Sequence, residues 1–334
     1  MRTAIRPMLL ALTLVPHSAA LAGSPGGIGI LGDSYSDEYQ FYPPDRSTAR
    51  NWVEILAVTR GFDFGPFTKT GRGEPRNEGY AFNWARSDAT TDDLIATGQH
   101  TGLAAQVARG EVGLVVVFIG GNDFINALKA SDPVGRLGEM LPRALRNHRI
   151  AVETILAADT RVRVVLVTLP DIRHLPEFAG LIRTGKIAAS VADAFTCAMR
   201  RYNGQIRSLA IGNPRLAIVD LDLATRAANL VSTEYTLVGG LRLDRLNPGN
   251  GLDRFFLADV RHPGTLGHGL MARMFIEVMN ARFGAGIAPL QAREVLDLAR
   301  SVSPRGDPPA VVRLAGNRPR AAQATRAVRI PRTR

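Results

Sequence analysis

Apolar residues along this chain fall into two kinds of run. Short, nearly unbroken runs stand at 26–31 (GGIGIL), 114–119 (LVVVFI), 162–169 (VRVVLVTL) and 216–220 (LAIVD). Runs of this length, rich in β-branched residues and bounded by Gly, Pro or polar positions, predict strands buried on both faces of a parallel sheet. Between them, apolar residues recur at helical spacing over 51–58, 101–108, 137–158, 186–210 and 264–283. Thr101 is placed to cap the second of these helices, and Gly61 to stop the first. In the last, Leu266, Leu270, Met271, Met274 and Phe275 share one face. Residues 61–80 are rich in Gly and Pro and predict an exposed loop, and 289–300 predict one more amphipathic helix docked on the body. Strands alternating with helices predict an α/β fold, a three-layer α/β/α sandwich with a central, mainly parallel sheet.

The two ends read differently. Residues 1–22 combine Arg2 and Arg6, an apolar run over 8–15, and the small-x-small site Ala20-Leu21-Ala22. This is the layout of a cleaved secretory signal, and an apolar run of eight is too short to span a bilayer. The mature protein is therefore expected to be secreted or periplasmic. Residues 23–285 form the predicted catalytic-size domain, 286–300 its terminal helix, and 301–334 a disordered basic tail with few, aperiodic apolar residues.

Charge changes this picture only at the ends. The 334 residues carry a formal +11. Eight arginines against Asp307 fall in 301–334, and Arg2 and Arg6 fall in the signal, leaving +2 for residues 23–300. A basic balance invites a nucleic-acid partner, but a nearly neutral body and a tail without aromatic stacking residues argue against one. Weak binding of the Arg-rich tail to an anionic surface is the expectation that remains. One cysteine, Cys197, excludes an internal disulfide framework and a Cys-rich zinc module.

Three stretches with chemical potential each fall where a strand should end, the edge at which α/β folds build sites. The first is Gly32-Asp33-Ser34-Tyr35-Ser36. Its serine presents either a reactive hydroxyl or a helix N-cap. The second, Gly120-Gly121-Asn122-Asp123, offers an amide that can donate to an oxyanion, or a turn in which Asp123 caps the next helix. The third is Asp259-Val260-Arg261-His262-Pro263. A carboxylate three residues before a histidine can hold its Nδ1 and fix the tautomer of a general base; the same residues can also be a surface loop. Together, a strand-end Ser, a mid-chain Asn and a late Asp/His pair make a complete acyl-transfer apparatus.

With these residues in this order, the chain resembles the SGNH (GDSL-type) hydrolases over Ile28 to Met271. Their first block appears as Gly32-Asp33-Ser34, without the Leu of the family name. The third is Gly120-Gly121-Asn122-Asp123, and the fifth Asp259 to His262, followed by Pro263 and Gly267-His268. No G-x-S-x-G elbow surrounds Ser34, which separates it from the larger α/β-hydrolase fold. The resemblance implies a flavodoxin-like α/β/α sandwich and an ester hydrolase. Ser34 would be nucleophile, His262 base and Asp259 its orienting carboxylate. The N–H groups of Ser34 and residue 88, with the Asn122 amide, would form the oxyanion hole. No cofactor or metal is implied. The substrate would be an acyl lipid, a short-chain ester or an acetylated glycan. One block departs: in residues 83–90, Asp88 stands where the family has glycine. A backbone N–H survives, but a carboxylate beside a developing oxyanion is unfavourable. Asp88 is therefore expected to point away, capping the helix near Thr91 or pairing with Arg86, and to tolerate φ > 0. The alternative is a catalytically impaired ligand- or polyanion-binding protein on the same fold.

The remaining candidates take ordinary readings. His17 falls in the signal. His100, His148 and His174 read as surface or satisfied polar sites, and His268 has no assigned role. Asp33 and Asp123 are expected to brace their loops. Phe255 and Phe256 read as core or pocket wall, and Cys197 as a small buried hydrophobe.

Overall fold

The computed structural model describes residues 26–74 and 76–303. The expected signal, 1–22, and nearly all of the basic tail lie outside them.

Four strands form the central sheet: β1 (Gly27–Gly32), β4 (Val112–Phe118), β5 (Arg163–Val167) and β6 (Leu216–Val219). They pair in the order β1-β4-β5-β6, every pair parallel. Two short antiparallel ribbons lie outside the sheet, β2 (Phe67–Thr68) with β3 (Gly79–Tyr80), and β7 (Tyr235–Val238) with β8 (Leu241–Asp244). The apolar runs are strands because both faces are covered by helices. One face carries α3 (Gln99–Ala108), α5 (Pro133–Ala158) and α7 (Ala189–Leu209); the other carries α1 (Trp52–Arg60), α9 (Thr265–Phe283) and α10 (Ala292–Val302). Trp52 of α1 stacks on Phe275 of α9 with centroids 4.2 Å apart.

Local chemistry sets the helix ends. Asn51 caps α1 in a reciprocal box with Glu54, and Gly61 ends it at φ 62°. Asp132 caps α5, with Pro133 in the first turn. The expected Thr101 cap is not made: α3 starts two residues earlier, behind Gly98 at φ 71°. The chain adds α2 (Thr91–Ala96), α4 (Gly121–Leu128), α6 (Pro176–Arg183) and α8 (Leu221–Val231), short helices not anticipated from periodicity. The loop over 61–80 holds the β2–β3 ribbon.

Two features position the site. The outer edge of β1 is covered by irregular chain. Ile28 and Ile30 donate their N–H groups to Asp63 O and Phe82 O, while Trp84 and Arg86 donate to Ile30 O and Gly32 O. Residues 82–86 thus run parallel to β1 and end at its carboxyl edge. At the far end, α10 is clamped to α1 by a bidentate Arg60–Glu294 pair at 2.8 and 2.9 Å. It also lies so close to α9 that a Cβ on Gly269 would stand 2.5 Å from Val295 Cγ1.

Candidate active site at the carboxyl edge of the sheet

β1 and β4 deliver their last residues to the same edge, Gly32 opposite Phe118. Ser34 follows β1 in a turn closed by Ser36 and Asp37 N–H bonds to Asp33 O. The chain after β4 passes through Gly120 at φ 117°, where a Cβ would lie 2.6 Å from Tyr202 Oη, so only glycine fits. Tyr202 in turn donates to Ile119 O at 3.1 Å. Asn122 therefore sits in the first turn of α4, facing Ser34 across one pocket.

The third stretch is a tight turn just before α9. His262 Nε2 lies 2.7 Å from Ser34 Oγ, and its Nδ1 lies 2.7 Å from Asp259 Oδ2. The other Asp259 oxygen accepts the backbone N–H groups of Arg261 (3.1 Å) and His262 (2.9 Å). Between them Val260 takes φ 63°, a costly conformation for a β-branched residue. This fold-back lets one carboxylate hold both the ring and the backbone of His262. The Val260 carbonyl is fixed by Glu177 N–H at 3.2 Å.

Electrostatics follow from burial and neighbours. His262 is lowered from its ordinary 6.5, first by burial; Asp259 opposes this, and Arg46 and Arg261 add to it. Burial would raise Asp259, but the His262 ring and the two backbone N–H groups outweigh it and hold the carboxyl low. The resting state is thus neutral imidazole beside carboxylate. Asp33, buried behind the serine, is pushed up to about 7 by burial and by Asp123, Asp88 and Asp37, against the Tyr35 N–H bond. Asp123 is raised to about 6 by burial.

Both acids brace backbone as expected. Asp33 Oδ1 accepts Tyr35 N–H at 3.0 Å. Asp123 does not cap its own helix; it accepts the Thr91 N–H (2.9 Å) and hydroxyl (2.6 Å), tying the start of α2 to α4.

Asp88 takes φ 63°, as expected for a glycine position, and its side chain is exposed. Neither expected partner is found: α2 is capped by Thr90 with Asp93, and no Asp88–Arg86 pair forms among the described residues. The N–H groups of Ser34 and Asp88 have no partner among the described residues, while Ser87 N–H is taken by Asp37 and Ala89 N–H by Arg86 O. Asn122 Nδ2 donates one hydrogen to Ala89 O at 3.1 Å, which joins the residue-88 segment to α4 and leaves a second hydrogen free. The expected oxyanion donors are therefore brought to one edge with unspent N–H capacity.

Several neighbours were not found from sequence. Tyr35 donates to Arg261 O at 3.0 Å, and Arg261 is held by a bidentate pair with Glu177. Tyr35 and Tyr39 flank the His262 ring at 5.6 and 5.8 Å. His268, left without a role above, is wholly buried with Nε2 2.6 Å from Tyr39 Oη, and burial holds it well below 6.5. The Gly267-His268 signal was visible; its tyrosine partner 229 positions away was not. Three ordinary readings need correction. Cys197 is exposed, on the outer side of α7. His148 is buried beside Tyr202, its Nε2 lacks a partner, and burial pushes it down to about 4. His100 is buried too, with an unpartnered Nδ1.

The pocket over Ser34 is small, about 40 Å³, walled by Phe118, Ile125, Leu169, Ile172 and Leu175. Beyond Tyr35, Pro170 and Leu175, which line both, lies an apolar cavity of about 280 Å³. Phe255 and Phe256 line it, and so do Leu270 and Met274 of α9, whose apolar face is thus only partly core. Among the described residues no group of His, Cys, Asp or Glu is placed to hold a metal ion.

Fold and geometry together define a class: an α/β sandwich with serine, histidine and aspartate in hydrogen-bond series at the carboxyl edge of its sheet. The chain belongs to the GDSL-like lipase/acylhydrolase family, whose model matches residues 28–275, and is a hydrolase of the esterase or acylhydrolase kind. Solved structures of similar fold include a lipase from a goat rumen metagenome (15% identity, TM-score 0.47, covering 80% of this chain and 100% of that one). An acetylxylan esterase from Geobacillus stearothermophilus follows (17%, 0.43, 76% and 94%). A third is the catalytic domain of a Streptococcus pneumoniae peptidoglycan O-acetyltransferase (12%, 0.38, 80% and 99%). No curated protein sequence matches.

Proposed function

We propose that the protein is an exported serine esterase that hydrolyses carboxylic esters through an acyl-enzyme. The observation that carries this reading is the unbroken series Ser34 Oγ–His262 Nε2–His262 Nδ1–Asp259 Oδ2, with both gaps 2.7 Å. His262 takes the Ser34 proton as Oγ attacks the ester carbonyl. Asp259 holds the tautomer and stabilises the imidazolium. The N–H groups of Ser34 and Asp88 and the free Asn122 hydrogen receive the oxyanion. His262 returns its proton to the leaving alcohol. Water, deprotonated by the same ring, then releases the acid.

The exposure of Asp88 and its uncommitted N–H support this over a catalytically impaired binding protein. The small pocket over Ser34 favours a short acyl group there. Export rests on the pattern of residues 1–22. A fluorophosphonate probe should label Ser34, and Ser34→Ala should lose both label and p-nitrophenyl acetate turnover by ~10⁵-fold or more. Equal turnover in the two proteins would sink the esterase reading.

A further inference from the structure

The 280 Å³ cavity beside the site is mainly apolar, and its charged lining residues are Asp171, Arg245, Arg273 and Glu277. Arg245 follows β8 and is 8% exposed. Its Nη1 donates to Asn229 Oδ1 (2.7 Å) and Ser232 O (3.1 Å), both uncharged. Nε has no hydrogen-bond partner, and no carboxylate pairs with the guanidinium among the described residues. The two carboxylates that line the cavity are already matched: Asp171 by Arg173 at 2.7 Å and Glu277 by Arg273 at 2.7 Å. His174, which also lines the cavity, is held below its ordinary value first by burial, with Arg245 adding to it.

A guanidinium keeps its charge under burial, and a buried, unpaired charge is costly. Here it lines a cavity whose walls are largely Leu221, Phe255, Leu270, Met271 and Met274. A ligand that repays both features has an apolar body and an anionic end. We propose that this cavity binds a carboxylate-ended aliphatic chain, with its methylenes on the apolar walls and its carboxylate on Arg245. Because Tyr35, Pro170 and Leu175 are shared with the pocket over Ser34, the chain lies next to the reacting centre. This deepens, and in one form rests on, the esterase reading. Two sources offer the same chemistry: a free fatty acid lodged beside Ser34, or an ester substrate whose far end is a carboxylate.

Calorimetric titration of Ser34→Ala with octanoate and with octanamide needs no turnover, so it stays readable if the esterase reading fails. Octanoate should bind at least tenfold more tightly, and Arg245→Gln should erase the difference. Should Arg245→Gln fold poorly, Ala224→Phe fills the cavity while keeping the charge and should abolish octanoate binding. Equal binding of the two ligands, or octanoate binding untouched by Ala224→Phe, overturns the proposal. Turnover separates the sources. If the ligand is substrate, the kcat/KM of mono-p-nitrophenyl octanedioate exceeds that of p-nitrophenyl octanoate, and the ratio collapses in Arg245→Gln. If octanoate binds but the ratio is near one, the site holds the free acid.

Discussion

At residue 88 the side chain and the backbone have separate jobs. Asp88 takes a left-handed φ of 63°, is exposed, and keeps its N–H uncommitted. Glycine would hold that conformation at less cost, and would also remove a negative charge from the mouth of the site. Asp88→Gly should therefore keep full ester turnover or raise it. Asn122→Ala, which deletes a fixed donor and unties Ala89, should cut kcat by ~10²–10³. Steady-state kinetics of the two variants check this, and a large loss in Asp88→Gly would show that the carboxylate itself serves the site. The same scale shows how far sequence reached. Ser34, Asn122, Asp259 and His262 were legible because each sits at a strand end or in a three-residue spacing. Tyr39, Arg261 and Glu177 were not, because their roles come from contacts across 84 to 229 positions. Val260 carries no residue-type signal at all, and only its backbone reveals that the turn stores strain.

At the scale of elements, the four sheet strands were readable as unbroken apolar runs, since a parallel sheet covered on both faces demands them. Of the short helices, α2 and α4 entered only as the helix near Thr91 and the one after Asp123, and α6 and α8 were hidden. Their starts are fixed by side-chain partners elsewhere in the fold, such as Asp123 on Thr91, rather than by an apolar period. Cys197 was misread although the period was available. Ala192, Phe195, Thr196, Met199 and Tyr202 form the buried stripe of α7, and position 197 falls opposite them. The contact of α9 with α10 depends on an absent side chain. Gly269→Ala would drive a methyl into Val295 and should destabilise the fold by ~1–3 kcal/mol. Urea unfolding measures it, and the effect should shrink when Val295→Ala is added.

For the whole molecule, buried acids and buried histidines pull the response to pH in opposite directions. Burial raises Asp33 and Glu54 to about 7 and Asp123 to about 6, whereas in the unfolded chain they ionise near 4. Between those values the unfolded state gives up protons at these acids that the folded state keeps, so their contribution to stability falls as pH rises from ~4 to ~7, while buried, neutral His148 and His268 contribute in the opposite sense. Asp33→Asn keeps the acceptor for Tyr35 N–H and cannot ionise. It should match the parent near pH 4 and exceed it at pH 8 by on the order of a few kcal/mol. Urea midpoints at both pH values test this; a variant weaker at pH 8 would show that the Asp33 charge is not a burden on the fold. The cover over β1 has a further consequence. β1 reads Gly-Ile-Gly-Ile-Leu-Gly and would, if bared, offer an apolar template on which strands of other chains could pair. The chain that shields it runs straight on to residue 88. Peeling that segment away would uncover an adhesive edge and dismantle the oxyanion donors in one event, so a molecule losing activity this way would also become prone to irreversible self-association.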